Sequence, residues 1–352
     1  MYICKWLCGY GYSYSRKSNN ITISVDGTGE SQTVANTYSL YGGSYGKPVS
    51  GSTIKMTSGT IYRIYGGGYG VSAEQPGNVT GTASITIEGG IISDQLTGGG
   101  NQYAKTDKAS INISKAAEAK TKINCLYAGG VGHPAAKDLV RTWDEAVCGT
   151  KEVEINIENA TLTEGLGCGG GQGYTYTEKS TVTIKNSTLG SFYGTLANGY
   201  ADNITATLTG CMFRKLIDYF EFAAINRGAI NNASFSFDGC TFDNISDANA
   251  GVGPILGWDN SDTSGDPKPA VEGKLSWKFI NTTGTPVMHL GPGLSQADIE
   301  VSGAKTKLIK FAQKNEWNCN FVFSRKWTYM DFGKWSKHRR WCNTYQQRNI
   351  SS

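Results

Sequence analysis

Short runs of alternating apolar and polar residues recur along the chain. Ser84-Ile-Thr-Ile-Glu-Gly-Gly, Ser110-Ile-Asn-Ile-Ser, Val153-Glu-Ile-Asn-Ile-Glu-Asn and Thr181-Val-Thr-Ile-Lys-Asn-Ser are the clearest copies. Thr205-Ala-Thr-Leu-Thr-Gly-Cys and Ser234-Phe-Ser-Phe-Asp-Gly-Cys continue them, with weaker copies from Ile21, Ser52, Leu275 and Asp298. A period of two marks a strand with one buried face. Each run then meets Gly or Asn, which permit a turn. Apolar residues return soon after, at Ile91-Ile92, Leu162, Leu189, Phe213 and Phe242. Further on comes a glycine cluster: Tyr65-Gly-Gly-Gly, Thr97-Gly-Gly-Gly, Ala128-Gly-Gly and Cys168-Gly-Gly-Gly. Successive runs lie about 22 to 33 residues apart, with two gaps of about 42 to 44. A period in that range means a solenoid, a propeller or an array. Short strands without intervening helices predict an all-β parallel β-solenoid (β-helix) of about ten turns, a rod of roughly 45 Å. A β-sandwich also uses short alternating strands, but it does not explain why the turns resemble one another.

The two long gaps hold insertions, at 133–149 and 247–273. The first is expected to contain one short helix over 134–149. Pro134 suits its first position, Gly149 its C-terminal cap, and Leu139, Val140, Trp143 and Val147 one face. The second reads as a polar loop with Trp258, Asp259, Asp262 and Asp266. Insertions in solenoids gather on one flank, often the binding flank. The domain organisation expected is an irregular segment over 1–20, a β-helix over 21–316 and a basic, Trp-rich tail over 317–352. The tail is expected to be poorly ordered, or an out-of-frame translation of further β-rich sequence. A one-base shift turns Trp codons into Gly codons.

Composition narrows the class. Of 352 residues 46 are Gly, only 8 are Pro and 18% are charged. That excludes a charged disordered tail and a helical bundle. No run of apolar residues is long enough for a transmembrane helix. The formal charge of +4 comes from the tail, where seven Lys or Arg face one acid between Arg325 and Ser352; the remainder is −2. The body therefore carries no basic footprint for nucleic acid. Nine scattered cysteines do not make a disulfide framework and read as small buried residues.

Candidate chemistry is sparse. Gly42-Gly-Ser44-Tyr-Gly46 fits the nucleophile-elbow spacing, but Lys47-Pro48 follows where a helix is needed. Gly165-Leu-Gly-Cys-Gly-Gly170 fits a dinucleotide fingerprint, yet Gly171-Gln-Gly-Tyr does not open a helix. No catalytic residue, metal site or cofactor is assigned. The binding candidates are Asp218, Tyr219 and Glu221, where carboxylates alternate with aromatics, and Trp258 with Asp259 in the second insertion. Tyrosines crowd the glycine clusters, among them Tyr41, Tyr45, Tyr65, Tyr69, Tyr127 and Tyr174. A ladder of them at one corner would make an amphipathic contact surface for glycan or protein.

The phrases Gly59-Thr-Ile-Tyr-Arg-Ile-Tyr-Gly-Gly-Gly-Tyr-Gly70, Ser84-Ile-Thr-Ile-Glu-Gly-Gly90 and Thr181-Val-Thr-Ile-Lys-Asn-Ser-Thr-Leu189 resemble repeats of adhesin-like surface proteins of gut bacteria. These belong to the pectin-lyase-like right-handed parallel β-helix class. The resemblance covers roughly Ile21 to Gly303. It implies a right-handed coil in a secreted or cell-surface protein whose partners are glycans or host surface proteins. Such proteins carry a signal peptide and an anchor. Neither is legible here, which points to a fragment. The same class holds polysaccharide lyases and glycoside hydrolases, so a carbohydrate-active enzyme is the alternative expectation.

Overall fold

In the computed structural model every described element is a strand, and all of them pair in parallel. The structure describes residues 39–114, 121–133, 139–196, 198–214, 216, 222–225, 228–243, 271–284 and 297–303 in full. It also gives the backbone of the strands Trp6–Cys8, Ile21–Val25, Ile255–Trp258, Ala270–Val271, Val287–Leu290, Lys310–Gln313, Asn320–Phe323 and Tyr345–Gln347.

The strands form three sheets of fifteen, thirteen and three strands. One turn shows the path. Val79–Ile87 lies in the second sheet and Gly90–Thr97 in the first. After a corner at residues 98–100, Asn101–Gln102 enters the third sheet, and Lys105–Ser114 returns to the second. The chain is a parallel β-solenoid.

Register carries the repeat into the core. In the second sheet Ile54, Ile85, Ile111, Ile155, Val182, Ala206, Phe235, Trp277 and Ile299 stand in one continuous column. All of them are buried. The polar residues between them face outward, because side chains alternate across a strand. From the first sheet Ile61, Ile92, Ile123, Leu162, Leu189, Phe213 and Phe242 form the facing column. Ile91, its neighbour in sequence, points out and is 40% exposed. The core changes from aliphatic to aromatic along the axis, into a block built on Phe192, Phe222, Phe237 and Trp277, and returns to aliphatic at Ile299 and Val301.

The glycine corners are part of the hydrogen-bonded ladder. Gly66 N donates to Thr97 O at 2.9 Å, Gly98 N to Tyr127 O at 3.0 Å, and Ala128 N to Gly167 O at 2.9 Å. One residue on, Gly67 N reaches Gly99 O and Gly99 N reaches Gly129 O, at 3.0 and 3.1 Å. A Cβ on Gly67 would lie 2.5 Å from Thr106 Oγ1 and 2.6 Å from Gly100 N. The clash is with the next turn, so glycine is demanded by stacking rather than by an unusual backbone angle. The first position of the cluster is held by Ala128 and Cys168 in later turns.

The helix expected over 134–149 is not formed. Residues 134–138 lie outside the described residues, and 139–148 make an irregular strap with a single turn closed by Ala146 N to Thr142 O. The apolar spacing is used differently. Leu139, Val140 and Trp143 pack on Tyr176 and Tyr200, on the outer face of the second sheet, while Val147 is exposed. A helix of this length gains little by itself. The chain must also enter the ladder at Gly149, which pairs with Lys105 and Tyr176. Trp6–Cys8, in the segment read as irregular, pairs with Ser39–Tyr41. In the tail, Asn320–Phe323 pairs with the strand Ala297–Ser302, and Tyr345–Gln347 pairs in turn with Asn320–Phe323. The rest of 317–352 lies outside the described residues, as does its expected order.

Two glycines of one corner region should respond in opposite ways. Gly67→Ala should cost about 1–3 kcal/mol through overpacking. Gly167→Ala meets nothing closer than Tyr127 Cδ1 at 3.4 Å, so it should be neutral or stabilise by about 0.4–1 kcal/mol through the unfolded chain. Urea midpoints of the two variants against the parent check this.

Candidate binding face at the glycine corner

Beyond each glycine cluster the backbone enters the third sheet, and its outward side chains form two columns. Tyr45, Tyr69, Asn101, Val131 and Gln172 make the first, through the bridges Tyr45 to Tyr69 and Val131 to Gln172 and the strand pairs between them. Tyr103 and His133 begin the second, with rings stacked at 4.6 Å, and Tyr174 stands at the matching position of the following turn. All are exposed or half-buried, and none is Asp, Glu, Lys or Arg.

Packing orders the aromatic end of this face. The Tyr45 and Tyr69 rings stack at 5.1 Å with planes 2° apart, and Tyr45 is 54% exposed. Tyr69 meets Tyr41 edge-on at 5.8 Å, and Tyr41 stacks on Tyr65 at 4.7 Å. Asn101 Nδ2 donates to the Tyr41 hydroxyl at 3.0 Å. An exposed ring is therefore backed by buried rings, which restricts its rotamers. Burial raises the Tyr65 hydroxyl pKa.

Ser44, the would-be nucleophile, is buried in the first of these corners, and its hydroxyl donates to the Lys47 carbonyl. Gly165-Leu-Gly-Cys-Gly-Gly170 runs from the end of the strand Thr161–Gly167 into a corner, with no helix after it. Both motifs belong to the turns.

Two other clusters hold polar chemistry. On the outer face of the second sheet the strap is clamped at two points, Arg141 and Trp143. Lys105 Nζ donates to Trp143 O at 2.7 Å, and Arg141 pairs with Glu272 at 2.6 Å. Glu272 lies at the end of the second insertion, so the two insertions meet on one flank. Burial pushes the Tyr176 hydroxyl up to about 12, and burial together with Glu272 raises that of Tyr200. On the first sheet, bulges place Asp94 and Glu164 outward beside Cys125 and Tyr127. Arg63 pairs with Asp94.

Asp218, Tyr219, Glu221 and Asp259 lie outside the described residues. Trp258 is placed only as backbone, paired with Ile225. Phe222, which follows Glu221, is fully buried. Four of the five candidates thus fall outside the described residues, and the fifth is known by its backbone alone. The sequence marks the tyrosines beside the glycines but not their partners Asn101, Tyr103, His133 and Gln172, whose only signal is their offset from the cluster. No group of His, Cys, Asp and Glu among the described residues has the geometry to hold a metal ion. No described helix is long and apolar enough to cross a membrane. Set against family models, curated proteins and solved structures, the chain matches none.

The buried thiols predict an alkaline weakness. Burial pushes Cys125 and Cys148 from the ordinary 9.0 up to about 12. Between those values the unfolded chain has released protons that the folded one keeps, so stability falls as pH rises through the window. The urea midpoint should be lower at about pH 10.5 than at about pH 8. Cys125→Ala with Cys148→Ala should flatten the slope.

Proposed function

We propose that this chain is a non-catalytic module of an adhesin-like, surface or secreted protein, and that it holds glycan on the third-sheet face. The carrying observation is the uncharged aromatic face of Tyr45, Tyr69, Tyr103 and His133, flanked by Asn101 and Gln172. A sugar ring offers weakly polar C–H faces and a rim of hydroxyls. Tyr rings accept the faces and planar amides serve the rim. A polyanionic glycan would instead call for Lys or Arg. Repetition adds reach, because rungs about 4.8 Å apart present successive contacts along one line. An extended polymer engaging several of them gains by multivalency.

Affinity electrophoresis in gels cast with neutral β-glucans, with polygalacturonate and without polymer tests this reading. The chain should be retarded by at least one neutral glucan and not by the polyanion. Tyr45→Ala with Tyr69→Ala should weaken retention about tenfold, one lost stacking contact being worth about 0.5–1.5 kcal/mol. Unchanged retention in that variant would remove the face from the account.

One observation favours a second reading, a carbohydrate-active enzyme. Asp94 and Glu164 face outward on the first sheet two rungs apart, roughly 10 Å. That is near the wide end of the carboxylate spacing used in inverting glycoside hydrolysis. New reducing ends from a glucan, lost in Glu164→Gln, would establish it. A polymer recovered intact after prolonged incubation leaves the binding module.

A further inference from the structure

Two cysteines stand one directly above the other on consecutive turns. Thr209 pairs with Asp238 and Met212 with Thr241, so one offset holds on both sides of Cys211 and Cys240. Gly210 N to Asp238 O and Thr241 N to Cys211 O, both 2.8 Å, lock the backbones together there. Stacked rungs about 4.8 Å apart fall inside the Cα separation that a disulfide spans, about 4.4–6.8 Å. Both thiols are buried and donate to backbone carbonyls, Cys211 to Thr209 O at 3.5 Å and Cys240 to Leu208 O at 3.4 Å. The neighbours in this column are Ser187 before and Thr282 after, so no third thiol competes along it. The other described cysteines lack this arrangement. Cys125 lies between Gln95 and Gly165, and Cys168 between Ala128 and Gly194.

We propose that Cys211 and Cys240 are a thiol–disulfide exchange site, which a low-molecular-weight disulfide oxidises to a bond clamping two turns of the solenoid. The Cys211 thiolate attacks one sulfur of the small disulfide and releases the other half as a thiolate, which takes up the Cys211 proton. The Cys240 sulfur then displaces the second half from the mixed disulfide and gives up its own proton. Two protein thiols become one disulfide, and the small disulfide is reduced to two thiols. The same sequence with the two sulfurs exchanged is chemically equivalent, since each thiol stands directly over the other. Burial makes the exchange slow in the closed rung and dependent on local opening. The covalent loop closes one full turn, so it restrains the unfolded chain as well as the folded one. In an oxidising compartment the pair is a clamp; in a reducing one it stays a dithiol.

The test uses the full chain, incubated with oxidised glutathione or with dithiothreitol and digested without reduction. Arg214 and Arg227 lie between the two cysteines in sequence, so trypsin places them on separate peptides. Mass spectrometry of the oxidised sample should show those peptides joined with the loss of two hydrogens. The melting temperature should rise by about 5 °C over the reduced sample. Cys240→Ala should abolish both changes, and Cys125→Ala should preserve both. If Cys240→Ala does not fold, peptide mapping of the unaltered chain decides by itself. Free thiols at both positions after oxidation of the folded protein would overturn the proposal. So would a disulfide from either cysteine to a different partner.

Discussion

The constraint on which the molecule depends is that each turn must hydrogen-bond to the next through its corners as well as its strands. Elsewhere a corner interrupts a sheet and its polar backbone goes to water. Here Gly66, Gly67, Gly98 and Gly99 carry the parallel ladder around the bend. The cost is room for side chains. Where the Cβ of Gly67 or Gly129 would stand, the hydroxyl of Thr106 or Thr177 from another turn is within 3 Å. Those Thr hydroxyls, with that of Thr150, are buried and have no conventional hydrogen-bond partner. Their proximity to glycine Cα–H groups gives them a weak substitute. Glycine and threonine at these sites are thus one requirement expressed on two rungs.

Once the ladder is locked, every position in a turn becomes a column, and properties accumulate along columns. Inward columns give one continuous core from Leu40 to Val301. Outward columns on the second sheet are mostly Thr, Ser and Asn, and where charges meet between turns they are of opposite sign, as in Lys55–Glu88, Lys274–Asp298 and Lys278–Glu300. Such exposed pairs contribute only about 0–1 kcal/mol each, so their worth lies in keeping like charges from stacking. The third-sheet columns have no such charges. A surface that omits the side chains its neighbours use is better explained by what it contacts than by stability.

The strands are legible in the sequence because a period of two survives any turn length. Ser84-Ile-Thr-Ile and Thr181-Val-Thr-Ile align by eye, and their inward isoleucines and valine are the core. The tyrosines are legible as a set but not by role. Tyr41, Tyr65, Tyr127 and Tyr193 precede or approach a corner on the first sheet and are buried, whereas Tyr45, Tyr69 and Tyr174 follow one and face out. Parity about the glycines decides this, and the corner's length sets the parity. The strap is illegible for a different reason. The spacing of Leu139, Val140 and Trp143 satisfies a helix and equally satisfies an irregular segment laid over two tyrosines. Periodicity reports that one side is buried, not against what.

That strap changes which flank is open for binding. Insertions on a solenoid are the natural place to look for a ligand, and the two here do converge, through Arg141 and Glu272. Yet the described part of the first insertion is spent on covering. Trp143, Leu139 and Val140 close over Tyr176 and Tyr200, Lys105 lies over the Trp143 ring, and Arg141 over that of Tyr200. Those two tyrosines stack at 5.8 Å on an outward column, and without the strap they would be an exposed aromatic pair. Tyr45 and Tyr69 are a similar stacked pair on the neighbouring sheet with one ring left open. The same local solution, paired tyrosines on adjacent rungs, is therefore capped by the chain itself in one place and presented in another. Among the described residues the open Tyr45 ring is where the proposed glycan contact would begin.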